Sequence, residues 1–373
     1  MPAFLMPACF LRLRSFDCPG ITDSSSSSSR MAEKNIPTIR SLAKTLRLSP
    51  TTVSDALRGV GRVDQTTAKR IRQLAEKVGY KTNPLTTALM SGFRRSRADT
   101  FRGVIAAVDI NEPARFPHGP FPKQISAGAR QRATELGFHF EEFVAGRNAL
   151  PLHRLDSILK SRGIHGIMIM PAWLAPDVSE LDWSNYAGVY TDNFIEKPRL
   201  HTVCSDHYRS MMDLLSRLVA RGYKRPGLML ERGRDERLLL RQSASFRAFQ
   251  ESHASAIEPV PILFASEFSQ KEFTPWFKRH KPDVVLNHYD ETVGWMEAAG
   301  ASVPKTHGYV CLNVINRTRP TAALDLQPKQ LGARAVELLI GQLQRAEYGS
   351  PAWTTTTMLT ASWLEGPTLR PPD

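Results

Sequence analysis

One stretch near the start of the chain limits the possible folds more than any other. Residues 38–59 read TIRSLAKTLRLSPTTVSDALRG, in which two short apolar patterns with helical spacing meet across a break. The first pattern comprises Ile39, Leu42, Ala43 and Leu46, and the second comprises Val53, Ala56 and Leu57. Ser49 suits a helix N-cap and Pro50 suits a first helical turn, so we expect the second helix to begin there. Two short helices joined this tightly predict a helix-turn-helix.

Charge is concentrated around this motif. The second helix carries polar residues at Thr51, Thr52, Ser54, Asp55 and Arg58, a face free to enter a DNA major groove. The net charge is +13, and residues 31–100 contain 14 lysines and arginines against five acidic residues. A basic surplus packed into so short a segment indicates a polyanionic partner, and the alternative is a merely solvated basic face.

Two further segments complete this region. Asp64 or Thr66 can cap a third helix whose inward stripe is Ile71, Leu74, Ala75 and Val78, with Gly79 ending it. Asn83 and Pro84 then open a short segment, NPLTTALM, followed by three arginines at positions 94, 95 and 97. Three helices in about 45 residues predict a small headpiece, and the segment after it is too short to be a stable helix alone.

The first 30 residues are unlike the rest. They contain the tract DSSSSSSR, which cannot bury apolar surface. Arg12 and Arg14 follow the apolar start instead of preceding it, unlike the charges of a secretory signal. Two interpretations remain open: a disordered extension, or an upstream start codon with the working chain beginning at Met31.

From Gly103 onward, strand and helix patterns alternate. GVIAAVDI, HGIMIMP, PGLMLE and PDVVLNH read as buried strands, and AGARQRATELGF, RSMMDLLSRLVARGY and SASFRAFQESH read as helices. Such alternation predicts parallel sheets covered by helices. A segment of this length divides into two lobes, with a ligand cleft at the carboxyl ends of the strands.

Several function classes find little support. Cys9, Cys18, Cys204 and Cys311 have no paired spacing, which argues against disulfides and zinc and fits a reducing cytoplasm. No apolar run approaches the ~18 residues of a membrane span. Neither dinucleotide-binding nor P-loop glycine motifs are present, so we expect neither an enzyme nor a cofactor. His201, Cys204 and His207 lack a suitable fourth metal ligand, and the neighbours Ser205, Asp206 and His207 cannot form a relay along an extended strand.

These pieces, in this order, resemble the lactose-repressor (LacI/GalR) family of bacterial transcription regulators. The resemblance covers the chain from Met31 onward and rests on the headpiece string, on VDQTTAKRIRQLAEKVGY for the third helix and on NPLTTALM for the family's hinge helix. GIHGIMIMP, ARGYKRPGLML and LQPKQLGARAVELLIGQL match segments of its effector domain. The implied fold is an all-α helix-turn-helix headpiece followed by an α/β effector domain of two lobes, like a periplasmic sugar-binding protein.

The resemblance implies how the headpiece would meet DNA. Thr51 and Asp55 fall where the family reads base edges, and Thr52 and Ser54 where it meets phosphates or bases. Many relatives have an arginine where this chain has Asp55, and a carboxylate can only accept, for instance from cytosine N4. The alternative is that Asp55 faces solvent or pairs with Arg58 or Arg62. The DNA-contacting set is completed by Thr38, Arg58, Asn83 and Leu89.

Leu89 aligns with the leucine that the family wedges into the minor groove, kinking the operator. Packing within the hinge is the alternative for this side chain. Two hinges must pair for the wedge to work, so the resemblance implies a homodimer on a near-palindromic site. The tail after Trp363 lacks the heptads of a tetramerising helix.

The positions that contact the effector in the family correspond less directly to residues of this chain than the DNA-contacting positions do. The implied positions are Phe121, Asp206, Arg241, Phe268, Asp290 and Asn313, each of which has a packing or hydrogen-bonding role as its alternative. Relatives often carry an arginine before a Gly-Phe pair, whereas this chain reads SASFRAF, so that only Arg241 or Arg247 could serve. Asn313 replaces a frequent aspartate. Both departures weaken the expectation of an ordinary hexose.

Together these observations predict a transcription regulator that acts as a repressor in the cytoplasm and is associated with the nucleoid. We expect a small-molecule effector to control it, with carbohydrates as the candidate class. Its expected divisions are an extension at 1–30, a headpiece at 31–80, a hinge and linker at 81–100, and an effector-binding and dimerisation domain at 101–373. The rival is a secreted solute-binding protein, which would need a working signal peptide and has no use for a basic headpiece.

Overall fold

The computed structural model describes residues 39–58, 63–78, 102–111, 120–146, 148–266 and 268–371. These residues fall into two compact units that divide between positions 88 and 89. The headpiece belongs to the first unit and the α/β domain to the second. No helix in the described ranges is both long and apolar enough to cross a membrane.

The first unit contains three helices, α1 (Ile39–Leu46), α2 (Pro50–Arg58) and α3 (Gln65–Lys77). Their shared core consists of Leu42, Ala43, Val53, Ala56, Ile71 and Ala75, all buried. Ser49 caps α2 as predicted, because its Oγ accepts the Thr52 backbone N–H at 3.0 Å. Asp64, the first of the two predicted candidates, caps α3 by accepting the N–H groups of Thr66 and Thr67 at 3.1 Å each.

The prediction that Val78 belongs to the inward stripe of α3 is wrong. The helix ends at Lys77, and Val78 is 42% exposed. Among the described residues, the last buried residue of α3 is Ala75, one turn before Val78.

The second unit is built on two parallel sheets. Lobe 1 has the strand order β11-β5-β4-β3-β1-β2, and all of its strand pairs are parallel. Its elements are β1 (Val104–Ile110), α4 (Pro120–Glu135), β2 (His139–Ala145), α5 (Leu152–Ser161), β3 (Gly166–Ile169), β4 (Ala187–Tyr190), β5 (His201–Ser205), α11 (Pro328–Arg345) and β11 (Thr356–Leu359).

Lobe 2 has the order β12-β10-β9-β8-β6-β7, in which only β12 is antiparallel to its neighbour. Its elements are α6 (His207–Ala220), β6 (Pro226–Glu231), α7 (Arg232–Arg237), α8 (Arg241–Ser252), β7 (Leu263–Ala265), α9 (Gln270–His280), β8 (Val284–Asn287), α10 (Thr292–Ala298), β9 (Gly308–Cys311), β10 (Ala322–Asp325) and β12 (Ser362–Leu364). All seven strand and helix segments singled out from the sequence are confirmed.

The chain passes between the lobes three times, after β5, after β10 and after β11. Helix α11 returns to lobe 1, where Leu331, Ala335 and Leu339 share a core with Ile105 and Ile125. It packs closely on α4, because two glycines, Gly128 and Gly332, let the two backbones approach. Each lobe is therefore assembled from distant parts of the sequence.

Candidate DNA-binding and effector sites

The helix-turn-helix has the geometry that the sequence predicts, with α1 and α2 separated by residues 47–49. Five of the predicted DNA contacts belong to α2: Thr51, Thr52, Ser54, Asp55 and Arg58. The Thr52 side chain is half-buried, and its Oγ1 lies 2.8 Å from Ser49 Oγ, so this hydroxyl takes part in the cap. Thr38, Asn83 and Leu89 lie outside the described residues, and their predicted roles stay predictions.

In the second unit, polar side chains follow the carboxyl ends of strands in both lobes. Trp173 follows β3, the pair Asp192 and Asn193 follows β4, and His207 follows β5. In lobe 2 the segment after β6 carries four arginines, three of which lie near these side chains of lobe 1, and the segment after β8 carries His288 and Tyr289. Carboxyl ends of parallel strands share one edge of a sheet, which is where ligands bind in open α/β folds.

Three of the arginines after β6 form the centre of this group. We call Arg234, Arg237 and Arg241 the arginine cluster. Arg237 pairs with Asp192 of lobe 1, and Arg241 Nη1 donates to Asn193 Oδ1 of the same lobe at 2.6 Å. Arg234 stays within lobe 2, where its Nε donates to Glu231 at 2.8 Å and its Nη2 to the Tyr289 hydroxyl at 2.6 Å. The cluster thus joins the two lobes.

Aromatic rings flank the cluster. The guanidinium carbons of Arg234 and Arg237 lie 5.7 and 5.4 Å from the centroid of the Trp173 ring, which is 40% exposed. Arg234 also lies 5.6 Å from the Tyr289 ring. Contacts at these distances favour a cation above an aromatic face. Because Trp173 belongs to lobe 1, it adds a second kind of contact between the lobes.

Two buried imidazoles lie near the same arginines, His207 at the start of α6 and His288 directly after β8. Burial, together with the smaller effects of the positive charges of Arg237, Arg241 and Arg234, lowers the pKa of His207 to about 3. Burial also lowers the pKa of His288 well below its usual value, again helped by Arg234 and Arg237. Both rings are neutral at physiological pH.

The predicted effector residues are distributed unevenly around this group. Arg241 belongs to the arginine cluster, and Asp206 precedes His207 and caps α6 through the Arg209 N–H at 2.9 Å. Phe268 packs edge-on against Tyr289 with ring centroids 4.5 Å apart, and Phe121 packs against the cores of both lobes. Arg247, the other arginine considered, is exposed and lies over the Phe264 ring.

Asp290 and Asn313 are engaged by nearby backbone. Asp290 is fully buried and accepts the N–H groups of Thr318 and Arg319 at 2.7 and 2.9 Å. Asn313 is 8% exposed, and its Oδ1 accepts the Ile315 N–H at 3.3 Å. These bonds agree with the hydrogen-bonding alternative, and the effector roles of both residues remain predictions.

The sequence neighbours Ser205, Asp206 and His207, which spell a catalytic triad in letters only, belong to different elements. Ser205 ends β5 and donates to the Leu326 carbonyl at 3.4 Å, whereas Asp206 and His207 begin α6. The described residues contain no group of three or more histidine, cysteine or acidic side chains suited to a metal ion.

The sequence analysis did not identify two members of the cluster, Arg234 and Arg237. It also missed most of the neighbours of the cluster: Trp173, Asp192, Asn193, His207 as a buried group, His288 and Tyr289. One signal was available. The buried strand PGLMLE is followed directly by RGRDERLLLR, a dense run of arginines at a strand's carboxyl end. The partners from lobe 1 had no such signal, because their approach depends on how the two lobes meet.

Known proteins share this architecture. A lactose repressor dimer solved on operator DNA with an anti-inducer matches with a TM-score of 0.51 at 16% identity, over 89% of this chain and 98% of that one. The structure of the transcriptional regulator CelR with cellobiose matches with a TM-score of 0.54 at 17% identity, over 89% and 99%. The chain has the fold of the LacI family. The fold predicted from the sequence is thereby confirmed.

Two curated proteins are similar in sequence. YkvZ of Bacillus subtilis, described as an uncharacterized HTH-type transcriptional regulator, is 22% identical over 82% of this chain and 93% of its own length. The HTH-type transcriptional regulator GntR of Pseudomonas aeruginosa is 40% identical over 62 residues, which are 17% of this chain and 18% of GntR. No family model matches the chain. These relatives favour the regulator predicted from the sequence over the secreted solute-binding protein.

Proposed function

We propose that this chain is a sequence-specific DNA-binding transcription regulator of the LacI type, acting as a homodimeric repressor whose operator affinity changes when a small molecule binds between the lobes. The observation that carries the proposal is the presence, in one chain, of a capped helix-turn-helix and a two-lobed α/β unit whose lobes meet through charged side chains. The descriptions of YkvZ and GntR support the first half of it.

The proposal divides the chain by task. Residues 31–80 bind DNA, residues 81–100 form the hinge and linker, and residues 101–373 bind the effector and dimerise; residues 1–30 have no task in it. Such a regulator works in the cytoplasm on the nucleoid. It needs no catalytic residue, cofactor or metal.

DNA reading is assigned to α2. Thr51 and Asp55 meet base edges, and Thr52, Ser54 and Arg58 meet phosphates or bases. Thr38 and Asn83 complete the proposed set of contacts. Asp55 accepts hydrogen bonds only, so it favours a base that presents a donor, such as cytosine. The operator therefore differs from that of relatives with an arginine at this position.

Selection of bound DNA from a random library tests the function directly. The protein used runs from Met31, and binding is repeated at several salt concentrations because phosphate contacts dominate non-specific affinity. We expect enrichment of one near-palindromic site with a central CG step. A library with no enriched site at any salt concentration, with or without candidate effectors, would contradict the proposal.

The reading residues are tested by substitution. Thr51→Ala and Asp55→Ala should change the base preference at defined positions of each half-site, by about 1–3 kcal/mol for a base that loses its partner. Thr45→Ala is the matched control, since its hydroxyl bonds to the Ser41 carbonyl within α1. An operator profile identical to that of the unmodified protein would remove both residues from the reading set.

The hinge is tested by Leu89→Ala. We expect specific binding to weaken while the salt-dependent, non-specific binding persists, because the wedge acts only where the operator is kinked. Fluorescence anisotropy with operator and with scrambled DNA measures the two terms separately. Equal loss of both would contradict the wedge and favour packing within the hinge.

Control by a small molecule requires unequal binding to two lobe arrangements. The ligand shifts the equilibrium only by the difference between its affinities for the two lobe arrangements. The change of lobe arrangement must in turn alter the hinge. Side chains that join the lobes, such as Asp192 with Arg237, are where such a difference would arise. An operator titration in the presence and absence of ligand measures the coupling.

A further inference from the structure

The arginine cluster has unmet hydrogen-bonding groups beside it. Arg237 Nε is a buried donor with no acceptor among the described residues, and His288 Nδ1 is a buried nitrogen with no partner there. His288 is 4% exposed and Arg237 has a side-chain exposure of 25%, so bulk water does not readily satisfy either. An unsatisfied buried polar group costs about 1–3 kcal/mol, so such a pair points to a ligand that supplies what is missing.

The type of group that His288 needs follows from its other nitrogen. Nε2 lies 3.1 Å from Gln242 Oε1, which can only accept, so Nε2 carries the proton. Burial and the nearby arginines keep this imidazole neutral by lowering its pKa. Nδ1 is therefore an acceptor, and it needs a donor such as a hydroxyl group.

The charge balance decides what the arginines need. Two of the three have a carboxylate partner, Arg237 in Asp192 and Arg234 in Glu231, whereas Arg241 has none among the described residues. A third carboxylate, Asp235, is fully buried; it accepts the Ser243 N–H at 3.2 Å through Oδ1, and its Oδ2 has no partner among the described residues. Arg241 is the member of the cluster with no ion-pair partner among the described residues.

We propose that the effector is a hydroxylated monocarboxylate, such as a sugar acid, whose carboxylate binds the arginine cluster and whose hydroxyl groups include a donor to His288 Nδ1. This inference rests on the proposed function, since it names the ligand of the same interlobe site. The two arginines over Trp173 set the carboxylate beside an exposed ring, against which the carbon skeleton of a sugar acid can pack. A neutral sugar would leave Arg241 without an ion-pair partner, and a phosphate dianion carries one charge more than Arg241 can pair.

Isothermal titration of the full chain with matched compounds tests both requirements. The acids are D-gluconate, D-glucuronate and D-galacturonate. D-Glucose and D-galactose keep the hydroxyl groups and lack the charge, hexanoate keeps the charge and lacks the hydroxyl groups, and glucose 6-phosphate replaces the carboxylate by a phosphate. We expect binding by at least one acid, at least tenfold weaker binding by its matched neutral sugar and by hexanoate, and weaker binding of the acid at high salt.

Variants connect the binding to the site. Arg241→Gln and His288→Leu should each weaken acid binding about tenfold, because each removes one of the two groups that the ligand satisfies. Arg279→Gln is the matched control, an exposed arginine in the last turn of α9. Thermal unfolding of each variant without ligand shows whether it is folded. If a variant is not folded, the salt dependence of acid binding to the unmodified protein gives a second test of the charge requirement.

The outcomes separate this inference from the function on which it rests. Binding of an acid that weakens in both variants and at high salt supports it. Binding by neutral sugars alone, by glucose 6-phosphate alone, or by none of the acids overturns it. If DNA selection yields an operator while the acids fail, only the effector class is wrong; if no operator is found, the proposed function itself fails.

Discussion

Buried histidines show how position decides the chemistry of a residue. His207 and His288 are buried near arginines, and both causes lower the pKa. A histidine held neutral in the folded state makes the free energy of unfolding depend on pH. Below its ordinary pKa this histidine binds a proton in the unfolded chain and does not bind one in the folded chain. With an ordinary pKa of 6.5 when unfolded and about 3 when folded, His207 costs stability as the pH falls from 6.5 towards 3.

We therefore expect the α/β unit to be less stable at pH 5.5 than at pH 7.5, with His207 alone responsible for about 1 kcal/mol. His207→Asn should reduce that difference by the same amount, whatever it does to stability at neutral pH. Denaturant unfolding at the two pH values measures it. His153→Asn, at an exposed position of α5, is the control. A pH difference unchanged in His207→Asn would show that this imidazole does not cause it.

At the scale of elements, α4 and α11 show how closely two helices can pack when each contributes a glycine. A Cβ added at Gly128 would lie 2.0 Å from the Lys329 carbonyl oxygen, and one added at Gly332 would lie 2.0 Å from the Ile125 carbonyl oxygen. Both obstacles are backbone atoms, which cannot rotate away. The helices would have to move apart, and with them the lobe 1 core that α11 completes.

Gly128→Ala should destabilise the α/β unit by about 3 kcal/mol, at the upper end of overpacking effects. Gly294→Ala in α10 is the matched control, since an added Cβ there meets nothing within 4 Å. The control should be neutral or stabilising by up to about 1 kcal/mol, because alanine favours helix more than glycine does. Equal effects of the two substitutions in denaturant unfolding would contradict the packing argument.

The turn of the helix-turn-helix depends on one cap. Ser49→Ala removes the acceptor for the Thr52 N–H and should destabilise the first unit by about 1 kcal/mol. Ser49→Asp supplies another acceptor and should retain most of the stability. Circular dichroism during unfolding of residues 31–80, compared with the full chain, measures the change. An alanine variant as stable as the serine form would mean that the cap contributes nothing.

At the scale of the whole molecule, two units with separate cores should unfold separately. Ile71 is fully buried in the six-residue core of the first unit, and Leu339 is fully buried in lobe 1. Ile71→Ala should lower the stability of the first unit by about 2–5 kcal/mol and abolish operator binding, with ligand binding intact. Leu339→Ala should lower the other transition by a similar amount. Calorimetry resolves them, and one shared transition shifted by both variants would contradict independence.

The sequence alone determined the three headpiece helices and the seven strand and helix segments singled out in the α/β unit. Periodicity identified the three headpiece helices, and capping chemistry marked where α2 and α3 begin, because these depend on neighbours within a few residues. Val78 shows the limit of periodicity: its spacing suits the inward stripe, yet its side chain is exposed. The alternation of strands and helices likewise predicted the parallel sheets, because each buried strand is recognisable from its own short apolar run.

Only the tertiary structure decided which side chains join the two lobes. Arg237 meets Asp192 across 45 residues and Arg241 meets Asn193 across 48, while Trp173 reaches both Arg234 and Arg237 from the other lobe. Asp290 looked like a ligand contact in the sequence, and its carboxylate holds the backbone at 318 and 319. Local pattern carries no information on such partners, because their distances depend on how three chain crossings set one lobe against the other.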